Sequence, residues 1–205
     1  MTRRPPAVVG ALFAPGTIPT LVLDACVLYR IFDTDILLSL ADADLLTPAW
    51  SAAIETEWVR NLCRNRPGLC ASIRARARSM NRAFSAASVP PVAPAPAHAV
   101  AAGTTDAKDL HVVVTALTIG ADAIVTYDLS DFDHDTLAAV GVIVVTPDDI
   151  VDWLLRFEDR PGTCNALRTQ RQRMQKPART PAGFIQSLAD NGFVSAARIL
   201  RPGDL

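Results

Sequence analysis

The apolar residues of this chain fall into short unbroken runs, separated by longer stretches of helical period. Leu21-Val22-Leu23, Ala123-Ile124-Val125 and Val142-Ile143-Val144-Val145 are apolar at consecutive positions, with no alternation of polar and apolar residues. Runs of this kind predict strands buried on both faces. Between them the period changes to that of a helix. Residues 36–46 carry apolar positions at helical spacing with Asp42 and Asp44 outward, and Ser51 caps a predicted helix through Ala53, Ile54, Glu57, Trp58 and Leu62. Pro67-Gly68 breaks that helix. Cys70, Ile73, Ala77, Met80 and Phe84 then mark one stripe of the next, with Arg74, Arg78 and Arg82 on its other face. Thr104 or Thr105 caps a further helix over residues 106–119, closed by Gly120. Residues 135–140 predict a short helix, and Pro147-Asp148-Asp149 opens another through Trp153 and Phe157. Strands alternating with helices indicate a parallel sheet covered on both faces.

Two regions depart from this rhythm. Residues 89–97 hold four prolines among apolar residues, an extended connector in which any strand is restricted to an edge. From Arg160 the texture becomes that of a small helical appendix. It comprises a polar helix over residues 161–175, a helix from Thr180-Pro181 closed by Gly192, and another turn or two over residues 193–200. The expected division is therefore a loose tail at 1–19, an α/β domain at 20–157 and a C-terminal helical extension at 158–205. Arg3-Arg4 followed by the short apolar stretch 8–13 resembles a signal peptide only superficially, because Pro15 interrupts it and no small-residue cleavage site follows. The expectation is a cytoplasmic protein that does not enter a membrane.

Composition adds a little. Half of the residues are hydrophobic, enough for a real core, and the net charge of −1 does not announce nucleic acid. The distribution says more: residues 58–84 hold seven arginines and no acid, and the acids gather at 24–44 and 106–152. A basic face beside an acidic pocket is one reading of that segregation, and a solvated helix face is the other. Cys26, Cys63, Cys70 and Cys164 have neither CxxC spacing nor a histidine cluster, so reduced thiols are expected rather than zinc or a disulfide scaffold.

The chemistry lies in the acids. Asp24 ends one buried run and Asp128 follows another. A carboxylate at the end of a buried strand costs desolvation energy unless something positive meets it. In an open parallel sheet that edge is where ligands bind. Asp109 sits in the first turn of its helix with Val112, Val113 and Ala116 inward behind it, and Glu57 shares a helix face with Ile54 and Leu62. Asp106 reads more as a cap residue, and Asp131 stands beside Asp128 as a rival for the fourth position. Several carboxylates in one crevice repel one another and call for a cation. Mg²⁺ or Mn²⁺ suits such oxygen donors, and activates water for phosphodiester cleavage. His98, His111 and His134 are scattered, and His111 is expected to point away from Asp109. No P-loop, GxGxxG loop or Ser/His/Asp arrangement is present.

Val22-Leu23-Asp24-Ala25, Glu57-Trp58-Val59-Arg60-Asn61-Leu62, Asp109-Leu110-His111-Val112-Val113-Val114-Thr115-Ala116 and Val125-Thr126-Tyr127-Asp128-Leu129-Ser130-Asp131-Phe132 resemble, in order and spacing, the four acidic motifs of PIN-domain ribonucleases. The resemblance covers about residues 20–155. It implies a Rossmann-like three-layer α/β/α sandwich, Mg²⁺ or Mn²⁺ dependence and endoribonuclease activity. It also implies metal-binding roles for Asp24, Glu57 and Asp109, with Asp128 or Asp131 as the fourth acid and Thr126 as the small polar residue of the last motif. Small bacterial members resemble the VapC toxins of type II toxin–antitoxin pairs, which implies a homodimer and a cognate antitoxin as partners. Arg74, Arg78 and Arg82, with Thr126, are the candidate RNA contacts. The appended fifty or so residues and the Pro/Ala connector depart from the minimal toxins. The alternatives are an RNA- or DNA-processing nuclease outside toxin–antitoxin systems, and a non-catalytic module that holds a metal or a basic partner.

Overall fold

The computed structural model describes residues 13–14, 16–89, 103, 105–175 and 177–205. Its elements run β1 (Thr20–Leu23), α1 (Ala25–Tyr29), α2 (Ile31–Ala41), β2 (Thr47–Ser51), α3 (Ala52–Asn65), α4 (Cys70–Ala83), β3 (Ser88–Val89), α5 (Leu110–Ile119), β4 (Ala123–Val125), α6 (His134–Ala139), β5 (Ile143–Val145), α7 (Pro147–Trp153), α8 (Arg160–Arg173), α9 (Pro181–Asp190) and α10 (Val194–Ile199). The strands form one five-stranded sheet in the order β3-β2-β1-β4-β5, and every pairing is parallel. The helices cover it as a three-layer α/β/α sandwich.

The core follows from the runs that predicted it. Leu21, Val22, Leu23, Ala123, Ile124 and Val125 are all fully buried, as central strands with both faces covered must be. Trp50, Ile54 and Trp58 fill one side, and Val112, Val113 and Ala116 of α5 pack into the same cluster.

Several boundaries differ from the sequence expectation. The strand β2 contains Pro48, a residue read as punctuation. Proline is tolerated there because β3 pairs only with Trp50 and Ser51, so no neighbour on that side asks Pro48 for an N–H. The helix expected over 36–46 begins at Ile31 and ends at Ala41; Asp42 caps it, and Asp44 takes a left-handed φ of 56° in the turn that follows. The helix expected from residue 106 begins at Leu110, after a turn over 107–109 in which the N–H of Asp109 donates to the carbonyl of Asp106. Thr105 is not its cap; its hydroxyl donates to the carbonyl of Asp131 instead. Thr104, most of the 89–97 connector and residues 1–12 lie outside the described residues.

The cysteine expectation needs one correction. Cys63 near the end of α3 and Cys70 at the start of α4 form a disulfide. The Pro67-Gly68 turn folds the chain back within one short 3-10 segment, which brings the two residues side by side. Cys26 and Cys164 are free.

Beyond α7 the chain runs through a π-helical turn (Leu154–Glu158) into α8, which packs along α2, and α9 and α10 pack together against the same region. Ser39 donates to the side-chain carbonyl of buried Gln170 at 3.0 Å. Asp148 at the start of α7 accepts the N–H groups of Ser195 and Ala196 at 2.9 and 3.0 Å. Phe184 and Phe193 are fully buried, each with its ring beside that of Phe32. Gly192 joins α9 to α10 at a φ of 99°, a conformation that disfavours any side chain. No helix among the described residues is long and apolar enough to cross a membrane.

Because Phe184 is fully enclosed at this junction, Phe184→Ala is expected to cost about 3–5 kcal/mol of stability. Urea unfolding of the full chain measures it, and a loss below about 1 kcal/mol would show that the C-terminal helices are not packed as described.

Candidate metal and nuclease site

Strand register brings the first and last motifs together. β1 and β4 run parallel with Leu23 beside Val125, and the N–H of Asp24 donates to the Val125 carbonyl at 3.1 Å. The next residue on each strand is therefore placed at the same carboxyl-terminal edge: Asp24 from β1 and Thr126 from β4. Asp24 is 6% exposed, and its two oxygens are divided between tasks. Oδ1 accepts the N–H of Ala25, capping α1. Oδ2 accepts the Thr126 hydroxyl at 2.7 Å and the Cys26 thiol at 3.3 Å. Thr126 Oγ1 in turn accepts the N–H of Asp128 at 3.1 Å. One buried hydroxyl thus links the carboxylate of one motif to the backbone of the other.

Thr126 has no exposure at all, so it is not the RNA contact the sequence suggested. Its place is beneath the site, holding Asp24.

The remaining acids approach from the loops around this edge. Asp109 forms the N-cap position of α5 without capping it through its side chain. Its Oδ2 is buried and accepts no hydrogen bond. Burial pushes its carboxyl up, and the nearby Asp24 and Asp131 push the same way, against the opposing charge of Lys108. The Lys108 ammonium lies 2.6 Å from Asp131 Oδ2 and 3.5 Å from Asp109 Oδ2, and these two acids hold its pKa above the ordinary lysine value. A lysine drawn between two carboxylates marks where the acids demand positive charge. Asp128 is exposed at the mouth, and a carboxylate oxygen of it lies within 4.8 Å of ligand atoms of both Asp24 and Cys26. Asp106 is exposed and enters through its backbone.

Glu57 is half-buried on α3 and faces α5, where His111 Nε2 lies 3.1 Å from its Oε2. The sequence expectation set His111 away from Asp109 and named no partner for it; the structure places it beside Glu57, across the contact between two helices.

A divalent ion suits this donor set. Asp109 Oδ2, buried and without a hydrogen bond, and the carboxylates of Asp24, Asp128 and Asp131 offer hard oxygen ligands for which the described residues supply only Lys108 as a counter-charge.

Three residues had no signal in the sequence. Cys26 reaches the site because α1 begins directly at Asp24 and turns the thiol back toward the β4 edge, where it meets Thr126 Oγ1 at 3.3 Å and the N–H of Tyr127 at 3.4 Å. Burial pushes the Cys26 thiol up to about 12, and the negative charge of Asp24 adds to it. Lys108 and His111 needed the packing of the 106–109 turn and of α5.

The arginine-rich helix face lies at the surface, as both readings of it require. Arg74, Arg78 and Arg82 are exposed on α4. Arg76, on the same helix, turns inward: its guanidinium stacks over Trp58 at 4.8 Å and donates to the Leu28 carbonyl at 3.0 Å. Arg74 also shares a shallow groove with Arg60, Glu55, Thr56, Val59 and Cys63.

Thr126→Val keeps the shape and removes the hydroxyl under Asp24. It is expected to weaken Mn²⁺ binding roughly 10- to 100-fold, with Thr126→Ser close to wild type. Isothermal titration checks this, and unchanged affinity in the valine variant would remove Thr126 from the site.

Comparison with known proteins agrees with this geometry. A family model described as PIN domain matches residues 20–130, more than half of the chain. A second, described as VapC50 C-terminal domain, matches residues 147–202. Neither a curated protein nor a solved structure matches the chain. The matched span carries β1 through β4 with Asp24, Glu57, Asp109 and Asp128 in their motifs, and on that ground the chain belongs to the PIN-domain family, with a C-terminal region of the VapC50 kind.

Proposed function

We propose that this protein is a divalent-metal-dependent endoribonuclease and the toxin of a type II toxin–antitoxin pair. The observation that carries the reading is the buried carboxylate of Asp24 at the end of the central strand, held by Thr126 and joined by Asp109 and Asp128 from two other segments. Its family membership supports nuclease chemistry, and the VapC50 match supports the toxin role.

In this proposal Asp24, Glu57, Asp109 and Asp128 hold Mg²⁺ or Mn²⁺, and Asp131 lies in reach as an alternative to Asp128. The ion, when bound, activates water and offsets the charge that builds on the phosphate. The chain's own residues do the rest. Thr126 fixes the direction of Asp24 Oδ2. His111 stands against Glu57 from α5. Lys108 is drawn to Asp109 and Asp131, and with those acids neutralised its ammonium would be free to meet a substrate phosphate. Arg74, Arg78 and Arg82 grip the RNA backbone away from the cut, giving affinity without sequence choice. The division proposed is a nuclease domain over 20–157 and a helical extension over 158–205. The working partners are an RNA substrate, a cognate antitoxin and a second copy of the chain, in the cytoplasm.

Cleavage of a structured RNA pool by the wild type is expected with Mg²⁺ or Mn²⁺, to stop with EDTA, and to fall at least about a hundredfold in Asp109→Asn and Glu57→Gln. Equal cleavage by the wild type and both variants would contradict the assignment. Replacing Arg74, Arg78 and Arg82 by Ala should weaken RNA binding and flatten its salt dependence by up to about 0.7 in log–log slope for each phosphate no longer neutralised. Unchanged affinity and slope would place the RNA elsewhere.

A further inference from the structure

Tyr127 stands between two residues of the site and turns its side chain elsewhere. Its neighbours are Thr126, which holds Asp24, and Asp128, whose N–H rests on the Thr126 hydroxyl. The Tyr127 hydroxyl donates to Asp33 Oδ2 of α2 at 2.7 Å. Asp33 has no exposure, and its Oδ1 is buried without a hydrogen bond. A buried carboxylate met on one oxygen only depends on each partner it keeps. Its partners are Tyr127 and Arg30, whose Nε lies 2.6 Å from the same oxygen.

Arg30, at the junction of α1 and α2, also reaches a third segment. Its guanidinium lies over the Tyr127 ring at 4.8 Å, and its Nη2 donates to the Asn191 carbonyl at 2.7 Å. Asn191 ends α9, and the next residue comes close as well: a Cβ placed on Gly192 would stand 3.8 Å from the Tyr127 hydroxyl. One planar guanidinium thus meets a buried acid, an aromatic face and a backbone carbonyl of the C-terminal extension. An ammonium has no plane to stack and no fork of spaced donors, so lysine does not replace it. Thr105 and His134 hold the far end of the last motif, through the carbonyls of Asp131 and Leu129. Tyr127 is the side chain that ties its near end to the extension.

We propose that Arg30 and Tyr127 are positioning residues through which the α9–α10 turn of the C-terminal extension sets the place of Asp128 at the metal site. The extension is then a working part of the metal centre, although it gives the centre no ligand. The proposal rests on the reading of Asp24 and Asp128 as metal-binding carboxylates.

Mn²⁺ affinity, read by electron paramagnetic resonance, is compared in the full chain as wild type, Arg30→Lys, Tyr127→Phe and Arg160→Ala. Arg30→Lys keeps a charge for Asp33 and gives up the stacking and the fork that reaches Asn191. Tyr127→Phe keeps the ring and gives up the hydroxyl. Arg160→Ala is the control for stability: it breaks the pair with Asp204 inside the extension and leaves Arg30, Asp33 and Tyr127 intact. Circular dichroism melts in EDTA show that all four fold at the temperature of the titration. The expected result is an affinity about tenfold lower in Arg30→Lys and Tyr127→Phe and unchanged in Arg160→Ala. For RNA cleavage with Mn²⁺, the same two variants are expected to lose kcat and keep the wild-type KM. Wild-type affinity in both variants, or an equal loss in Arg160→Ala, overturns the proposal. Cleavage by the wild type separates the two readings. Cleavage with wild-type affinity in both variants overturns the positioning and leaves the nuclease standing. Weakened Mn²⁺ binding in the variants, with no cleavage by the wild type, supports the positioning and counts against the nuclease. No Mn²⁺ binding by the wild type overturns both.

Discussion

Asp24 is a carboxylate in a place where a charge is expensive, and the local structure is organised around keeping it there. It lies at the end of the central strand with fully buried residues before it, and it is itself almost wholly enclosed. It stays because three protein groups face it: the N–H of Ala25, the hydroxyl of Thr126 and the thiol of Cys26. Those contacts depend on the parallel register of β1 and β4, which sets Leu23 beside Val125 and so Asp24 beside Thr126. A slip of one residue would turn Thr126 away and put an apolar side chain under the carboxylate. The sheet therefore does more than bury apolar area. It fixes where the negative charge of the site can stand.

The C-terminal helices reach the same edge by another route. Asp33 of α2 is fully buried and accepts from Tyr127 at 2.7 Å and from Arg30 at 2.6 Å. The Arg30 guanidinium also stacks over Tyr127 at 4.8 Å and donates to the Asn191 carbonyl at 2.7 Å. Tyr127 lies between Thr126 and Asp128. The loop that carries the last motif is thus braced from beneath by Asp33 and from the side by the end of α9. A C-terminal region docked in this way does not hang free of the nuclease fold.

Much of this was legible in the residues, for identifiable reasons. β1, β4 and β5 announced themselves because strands buried on both faces must be apolar at every position. Asp24 and Asp128 stood out because an acid beside such a run has no cheap structural explanation, and Asp109 because it opens a helix with an inward apolar face. β2 was hidden by Pro48, whose presence in a strand makes sense only once the shortness of β3 is known. The contact between Glu57 and His111 was hidden too, because it depends on how α3 and α5 pack across the sheet edge rather than on spacing along either helix. Cys26 read only as a reduced thiol. Only the turn of α1 directly after Asp24 shows its sulfur beside two motifs at once. The Cys63–Cys70 disulfide needed the tight 67–69 turn, which spacing alone does not distinguish from a longer loop.

The central claim is that Asp24 organises a divalent-metal site, and Mn²⁺ binding followed by electron paramagnetic resonance tests it most directly. Asp24→Asn keeps the size of the side chain and an oxygen acceptor for Thr126, and removes the charge. The wild type is expected to quench the free-ion signal as Mn²⁺ binds, with affinity at least tenfold lower in a folded Asp24→Asn variant. Equal Mn²⁺ affinity in the two proteins would contradict the account, because the ion would then be held without the carboxylate on which the site is built.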